Sequence, residues 1–180
     1  KKKKKIEEKN NPTVAGLDPN ISYIPDFIKN SNFSKYGKNK EGAAMAMLEF
    51  NKGLIDELCN IVPAIKPQSA YYEMYGSFGV YAMEKTIEYE KDKGLYVIAD
   101  VKRNDIGSTA KGYAKAYLGL SELDDQTNTE AFGADSATVN GYLGSDGIEP
   151  FLEECRKGKM IFALVKTSNP SSGELQDMLI

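Results

Sequence analysis

Short apolar runs alternate along the chain with longer segments in which apolar residues recur every three or four positions. The short runs cover residues 13–17, 61–66, 95–99, 136–140 and 160–165. Most of them are bounded by Pro, Gly or Asp residues, which is typical of strand ends. Because the runs are continuously apolar rather than alternating, we predict strands that are buried on both faces, as in a parallel sheet.

The segments between these runs predict amphipathic helices, because their apolar residues fall on one helical face. In chain order, the faces are Met47, Leu48, Leu54, Ile55 and Leu58; Val80, Met83 and Ile87; Tyr113, Ala114, Tyr117 and Leu118; and Ile148, Phe151, Leu152 and Cys155. The alternation of strands and helices predicts an α/β fold in which helices cover a parallel sheet.

Polar residues stand at or just past the carboxyl end of every predicted strand, namely Asp18, Lys66, Asp100, Asn140 and Ser168. In a parallel (β/α)8 TIM barrel these ends converge on one mouth, where active sites form. An open dinucleotide-binding sheet would instead carry Gly-x-Gly-x-x-Gly after its first strand, and no such motif is present. We therefore predict a TIM barrel.

The length bears on how much of that barrel is present. A closed barrel needs eight strand–helix units and about 250 residues, whereas the 180 residues contain five predicted strands. No internal repeat or low-complexity linker indicates a second domain. We expect one incomplete βα-barrel domain over residues 1–180, with about the first five strand–helix units.

Composition excludes several classes of function. The formal net charge of −3 argues against a general nucleic-acid or membrane-surface binder. No apolar run approaches the 18 residues of a membrane span, and no signal peptide is visible. Two cysteines without a disulfide framework indicate a reducing cytoplasm. Histidine is absent, which excludes Ser-His-Asp and Cys-His sites and most zinc sites, so proton transfer must use carboxylates, lysines or tyrosines.

The most informative segment follows the third predicted strand. Because side chains alternate along a strand, Asp100 and Lys102 point to the same side, which is the barrel interior if Val97 and Ala99 face the helices. Asp105 falls beyond the strand end.

A helix is expected soon after Asp105. The chain turns at Gly107, and Ser108 or Thr109 is expected to cap the helix that follows.

This charge cluster has two interpretations. A buried salt bridge that fixes the strand end is the structural one. Lys66, however, ends a neighbouring strand at the same level, and Asp105 adds a second carboxylate. Two carboxylates and two lysines around one cavity are expensive to bury, which favours a functional cluster.

The cluster also resembles a known family. Asp100-x-Lys102-x-x-Asp105-Ile106-Gly107-Ser108-Thr109 is similar to the motif of orotidine 5'-phosphate decarboxylases, and most similar to the bacterial branch with Lys-Pro-Gln after the second strand. Further matching motifs, in the family's order, are Gly16-Leu17-Asp18-Pro19, Ile65-Lys66-Pro67-Gln68-Ser69-Ala70-Tyr71-Tyr72-Glu73, Thr138-Val139-Asn140-Gly141-Tyr142-Leu143-Gly144 and Lys166-Thr167-Ser168-Asn169-Pro170.

The resemblance implies conversion of orotidine 5'-phosphate to uridine 5'-phosphate without a metal or organic cofactor. It implies that Lys66, Asp100, Lys102 and Asp105 form the catalytic array and that Lys102 protonates the ring carbon. It also implies a homodimer with shared active sites.

For the substrate-binding residues the resemblance is equally specific. It implies that Asp18 binds a ribose hydroxyl and Ser168 the pyrimidine ring. Asp105, Ile106 and Thr109 would reach into the partner subunit's site.

Two alternatives remain at this point. One is a magnesium-dependent sugar-phosphate decarboxylase or aldolase of the same superfamily. In that branch, as the resemblance implies, the second strand ends in a metal-binding Glu, whereas here the position is Lys66. The other is a non-catalytic nucleotide-binding barrel. The family's phosphate-binding Gln and Arg follow its seventh and eighth strands, and we expect no counterpart of them in these 180 residues.

Overall fold

Five parallel strands flanked by helices, together with a two-stranded antiparallel hairpin, make up the structure, a computed structural model that describes residues 2–178. The strands are β1 (Val14–Leu17), β2 (Ala64–Pro67), β3 (Tyr96–Arg103), β4 (Ser121–Glu122), β5 (Asn128–Thr129), β6 (Ser136–Asn140) and β7 (Met160–Leu164). The helices are α1 (Lys2–Lys9), α2 (Asp26–Tyr36), α3 (Lys40–Leu58), α4 (Ser69–Glu73), α5 (Gly76–Asp92), α6 (Gly107–Tyr117), α7 (Glu149–Arg156) and α8 (Gly173–Gln176), with 3-10 turns at Ile21–Tyr23 and Pro170–Ser172.

The sheet has the order β1-β2-β3-β6-β7, and every neighbouring pair is parallel. The short strands β4 and β5 form a separate antiparallel hairpin. All five predicted strands are present, which confirms the α/β fold with a parallel sheet. The third strand is longer than predicted, because it continues past Ala99 to Arg103 and so carries Asp100 and Lys102 itself.

The two faces of β3 bury different residues. Val97, Ala99 and Val101 face the helices and join the main core, whereas Tyr96 and Ile98 face the other side of the sheet. This alternation is what a pleated strand imposes. It places Asp100 on the same side as Tyr96 and Ile98, away from the helical layer, as the sequence predicted.

The start of α6 differs from the prediction. The residue at the cap position is Ile106, which forms no side-chain capping hydrogen bond, and Ser108 and Thr109 lie inside the first turn. Asp105 accepts a hydrogen bond from the Ile106 backbone NH at 2.8 Å instead. The expected cap was wrong because the helix begins at Gly107, before either Ser108 or Thr109 could cap it.

None of the helices within residues 2–178 combines the length and the apolar character needed to cross a membrane.

A carboxyl group is buried at Glu90 on α5. The residue has no exposed surface, and neither carboxyl oxygen has a hydrogen-bond partner within the described chain. Burial raises the pKa of Glu90 well above its usual value. In the unfolded chain, Glu90 ionises near the ordinary glutamate pKa of about 4.3. Stability should therefore fall as the pH rises from that value through the raised pKa of the folded protein.

We expect Glu90→Gln to stabilise the protein at neutral pH and not at acidic pH. The amide keeps the shape of the protonated acid and removes the ionisation that favours the unfolded chain. Thermal unfolding of the full-length protein should show a midpoint roughly 2–6 °C higher at pH 7.5 and little changed at pH 4. Glu88→Gln, an exposed change on the same helix, serves as the control. A less stable Glu90→Gln protein at pH 7.5 would contradict the prediction.

Candidate active site

Three neighbouring strands bring Lys66, Asp100 and Lys102 together. Lys66 lies in β2, and Gln68, just after that strand, forms an isolated parallel bridge with Asp100 of β3. Thr138 of β6 completes the group from the other side. Each of these side chains points to the face of the sheet that the helices leave uncovered.

The carboxylate of Asp100 accepts four hydrogen bonds, two at each oxygen. Oδ1 accepts from Lys102 Nζ at 2.5 Å and from Thr138 Oγ1 at 2.8 Å. Oδ2 accepts from Lys66 Nζ at 2.8 Å and from Gln68 Nε2 at 2.9 Å. A carboxylate offers about four lone-pair directions, so all of them are used.

The surroundings of Asp100 keep it ionised. Its side chain is 8% exposed, against 32% for Lys66 and 46% for Lys102. Burial alone would raise the pKa of Asp100, but the hydrogen bonds from Lys102, Lys66 and Thr138 outweigh burial and hold the pKa below its usual value. The site is therefore a buried negative charge between two more accessible positive charges.

Strand β3 is irregular at this point. Ala99 pairs with Ala137 and Arg103 pairs with Val139, so residues 100–102 stand opposite Thr138 alone. Lys102 has a φ of 47°, in the left-handed region that residues other than glycine rarely adopt. On the helical side, Arg103 Nη1 donates to the Val101 carbonyl at 3.0 Å and Arg103 Nη2 pairs with Glu73.

A cavity of about 380 Å³ opens over the cluster. It is lined by Val14, Lys66, Ile98, Asp100, Lys102, Thr138, Phe162 and Leu164. A wider groove of about 530 Å³ beside Tyr36 and Tyr81 lies on the helical layer, away from the charged cluster. The charged groups and an apolar wall therefore meet in the cavity over the sheet.

Asp105 lies outside this cluster in its own chain. Apart from the bond that it accepts from the Ile106 NH, its carboxylate has no hydrogen bond or ion pair with residues 2–178. Ile106 is 60% exposed, and Thr109 is exposed in the first turn of α6. The structure thus brings together three of the four predicted catalytic residues and leaves Asp105, Ile106 and Thr109 on the surface.

The other two predicted binding residues lie at strand ends. Asp18 directly follows β1, and its exposed carboxylate makes no hydrogen bond or ion pair with the described residues. Ser168 is exposed in the loop after β7. Both side chains are accessible, but neither contacts the charged cluster.

Neither Thr138 nor Gln68 is among the site residues predicted from the sequence. The structure gives both a direct hydrogen bond to Asp100. For Thr138 a signal existed: on β6 the polar residues Ser136, Thr138 and Asn140 alternate, so they share the face of the charged cluster.

Within residues 2–178, no three Cys, Asp or Glu side chains converge in a group that could hold a metal ion.

Comparison with known proteins identifies relatives along most of the chain. The family model described as "Orotidine 5'-phosphate decarboxylase / HUMPS family" matches residues 45–179. The orotidine 5'-phosphate decarboxylase of Rhodopirellula baltica is 43% identical over 169 residues, covering 93% of this chain and 54% of the relative. That of Caldicellulosiruptor saccharolyticus is 40% identical over 176 residues, covering 97% of this chain and 57% of the relative. The chain therefore spans about half the length of the relatives it matches.

Solved structures also match nearly all of this chain with about half of their own length. A Toxoplasma gondii crystal structure, of a candidate orotidine-monophosphate decarboxylase, superimposes with a TM-score of 0.78 at 32% identity, covering 99% of this chain and 52% of that one. The structure of Leishmania donovani OMP decarboxylase gives a TM-score of 0.71 at 27% identity, covering 99% and 59%. These similarities confirm the fold prediction: the chain is about half of a TIM barrel.

Proposed function

Because the chain belongs to the orotidine 5'-phosphate decarboxylase / HUMPS family, we propose that it forms the catalytic half of an enzyme that decarboxylates orotidine 5'-phosphate to uridine 5'-phosphate. The observation that carries this proposal is the ionised Asp100 between Lys66 and Lys102 at the floor of an open cavity. Such a cluster can act on a substrate that carries a carboxylate and leaves a carbanion.

Lys102 would supply the proton. As the bond between the ring carbon and the carboxylate breaks, its electron pair stays on the ring carbon and CO₂ leaves. The Lys102 ammonium stabilises that developing charge and then donates a proton to the carbon. The lysine is left neutral and regains its proton from water.

Asp100 would act on the ground state. A substrate carboxylate placed about 4 Å from Asp100 is repelled by roughly 4 kcal/mol at an effective dielectric constant near 20. The repulsion disappears when neutral CO₂ leaves. The stabilising effect of Lys102 on the carbanion acts in addition to this repulsion.

The remaining site residues are part of the same proposal. Asp18 would bind the ribose and Ser168 the pyrimidine ring. We propose a homodimer in which Asp105, Ile106 and Thr109 complete the partner subunit's site. The exposure of Ile106 and Thr109, and the absence of an ion pair between Asp105 and the lysines of its own described chain, support this arrangement.

The direct test is turnover of orotidine 5'-phosphate by the full-length protein, followed through the loss of orotate absorbance. Steady turnover to uridine 5'-phosphate would support the proposal. A purified, folded dimer that binds the nucleotide without converting it would instead favour a non-catalytic nucleotide-binding barrel.

We expect this activity to be independent of divalent metal ions. Lys66 occupies the position at which a magnesium-dependent sugar-phosphate enzyme would offer a carboxylate, and an ammonium group repels Mg²⁺. After dialysis against EDTA, the rate should stay within about twofold of the untreated protein, with or without added Mg²⁺. A strict Mg²⁺ requirement would favour the sugar-phosphate alternative.

We also propose that the protein works in the reducing cytoplasm and binds neither nucleic acid nor membranes. Cys59 and Cys155 are free thiols, as is usual for proteins of reducing compartments. The net charge of −3 argues against binding to anionic polymers or surfaces. A single domain over residues 1–180 likewise stays a prediction.

A further inference from the structure

The hydroxyl group of Thr138 lies where β3 departs from regular pairing. Three residues of β3, 100–102, stand opposite this one residue of β6. A bulge of this kind leaves backbone amides without a partner in the ladder. Here Thr138 Oγ1 accepts from the Val101 NH and from the Lys102 NH, both at 2.9 Å.

The same hydroxyl also donates to Asp100 Oδ1 at 2.8 Å. A threonine hydroxyl has one hydrogen to donate and two lone pairs to accept with. Because two backbone amides occupy the lone pairs, the hydrogen is directed at Asp100. Thr138 is itself buried, at 9% exposure, so water competes poorly for these bonds.

The backbone that this hydroxyl holds is strained. A non-glycine residue in the left-handed region is destabilised and persists only where its surroundings enforce the conformation. Lys102 has that conformation, and its ammonium lies 2.5 Å from Asp100 Oδ1. Strain of this kind concentrates at functional sites.

We propose that Thr138 is a positioning residue, whose hydroxyl sets the bulge so that the Lys102 ammonium is held beside Asp100 at the cavity. The inference rests on the proposed function for its kinetic consequence, but its structural consequence is independent of that function. Without the hydroxyl, the amides of Val101 and Lys102 lose their acceptor, and the bulge relaxes toward an ordinary extended strand.

The kinetic test compares variants of Thr138 in the full-length protein. Thr138→Val keeps the shape and removes the hydroxyl, so kcat should fall by roughly 10- to 100-fold while KM changes less than about threefold. Thr138→Ser keeps the hydroxyl and should stay within about threefold of wild type. Thr138→Ala, equally small but without the hydroxyl, should resemble Thr138→Val.

The serine and alanine variants decide the question even if the valine variant does not fold. Ser136→Ala, on the same strand and face but outside the bulge, controls for small changes in packing and should keep the wild-type kcat. A Thr138→Val protein with wild-type kcat, or a serine variant as slow as the alanine variant, would overturn the proposal.

Crystal structures separate this inference from the proposed function. If the wild-type protein does not decarboxylate orotidine 5'-phosphate, the proposed function fails, but the backbone of Lys102 can still be compared between wild type and Thr138→Val, or Thr138→Ala if valine is not tolerated. Departure of Lys102 from the left-handed region in the variant supports the positioning role. An unchanged Lys102 backbone and side chain refute it.

Discussion

Replacement of Lys102 by alanine is expected to reduce kcat/KM for orotidine 5'-phosphate by about a thousandfold or more. General acid catalysis contributes typically 10²- to 10⁴-fold, and loss of a charge that stabilises the transition state adds to that. Lys66 also contacts Asp100, but through the other carboxylate oxygen, so it cannot take the place of Lys102. Loss of orotate absorbance in the full-length protein measures the effect.

Two further variants make this result specific. Lys102→Arg keeps the positive charge but is a far weaker acid, so it should also be nearly inactive if the proton transfer matters. Lys85→Ala removes a lysine of the outer helical layer, which pairs with Glu88 on α5, and should leave the rate unchanged. Because the Lys102 side chain is 46% exposed, its loss should leave the fold intact, as circular dichroism would verify. A Lys102→Ala protein with a tenth of the wild-type rate would remove Lys102 from the acid role.

A second large effect is expected when two inactive proteins are combined. Asp105→Asn and Lys102→Ala should each give an inactive homodimer. In a mixed dimer, one site combines the intact Lys102 of the first subunit with the intact Asp105 of the second, and the other site carries both changes. Random pairing makes half of the dimers mixed, each with one intact site of two, so the unseparated mixture should approach about a quarter of wild-type activity and the isolated mixed dimer about half.

Recovery in this experiment depends on exchange of subunits. The two proteins should therefore be co-expressed with different affinity tags, or unfolded and refolded together, and the mixed dimer should be isolated before assay. Mixing Asp105→Asn with itself under the same treatment is the control. If proven mixed dimers stay inactive, Asp105 acts in its own subunit's site, and the proposal of shared sites fails.

The sequence predicted the sheet well because each strand is short, apolar and followed by a polar residue. The face of the sheet to which each β3 side chain points was equally predictable, since Val97, Ala99 and Asp100 follow simple alternation. Both predictions depend on local patterns that a parallel sheet imposes on every strand.

The bulge was not predictable in this way. Counting alternate residues assumes a regular pleat, whereas the backbone of Lys102 turns into the left-handed region because a hydroxyl from another strand holds it there. Thr138 is 36 residues away from Lys102 along the chain. The position of Asp105 was not predictable in this way either, because it lies beyond the strand end, where alternation no longer applies; in the structure its carboxylate accepts only the bond from the Ile106 NH among residues 2–178.

The four donors around Asp100 determine when the free energy needed to desolvate and orient its charge is spent. An isolated charge in a cavity must be desolvated or reoriented each time a ligand arrives. Asp100 instead has every lone pair occupied before any ligand binds, so its charge and direction are set during folding. If the proposed substrate binds with its carboxylate beside Asp100, it meets a charge whose hydrogen bonds are already formed, so little reorganisation is left for the chemical step.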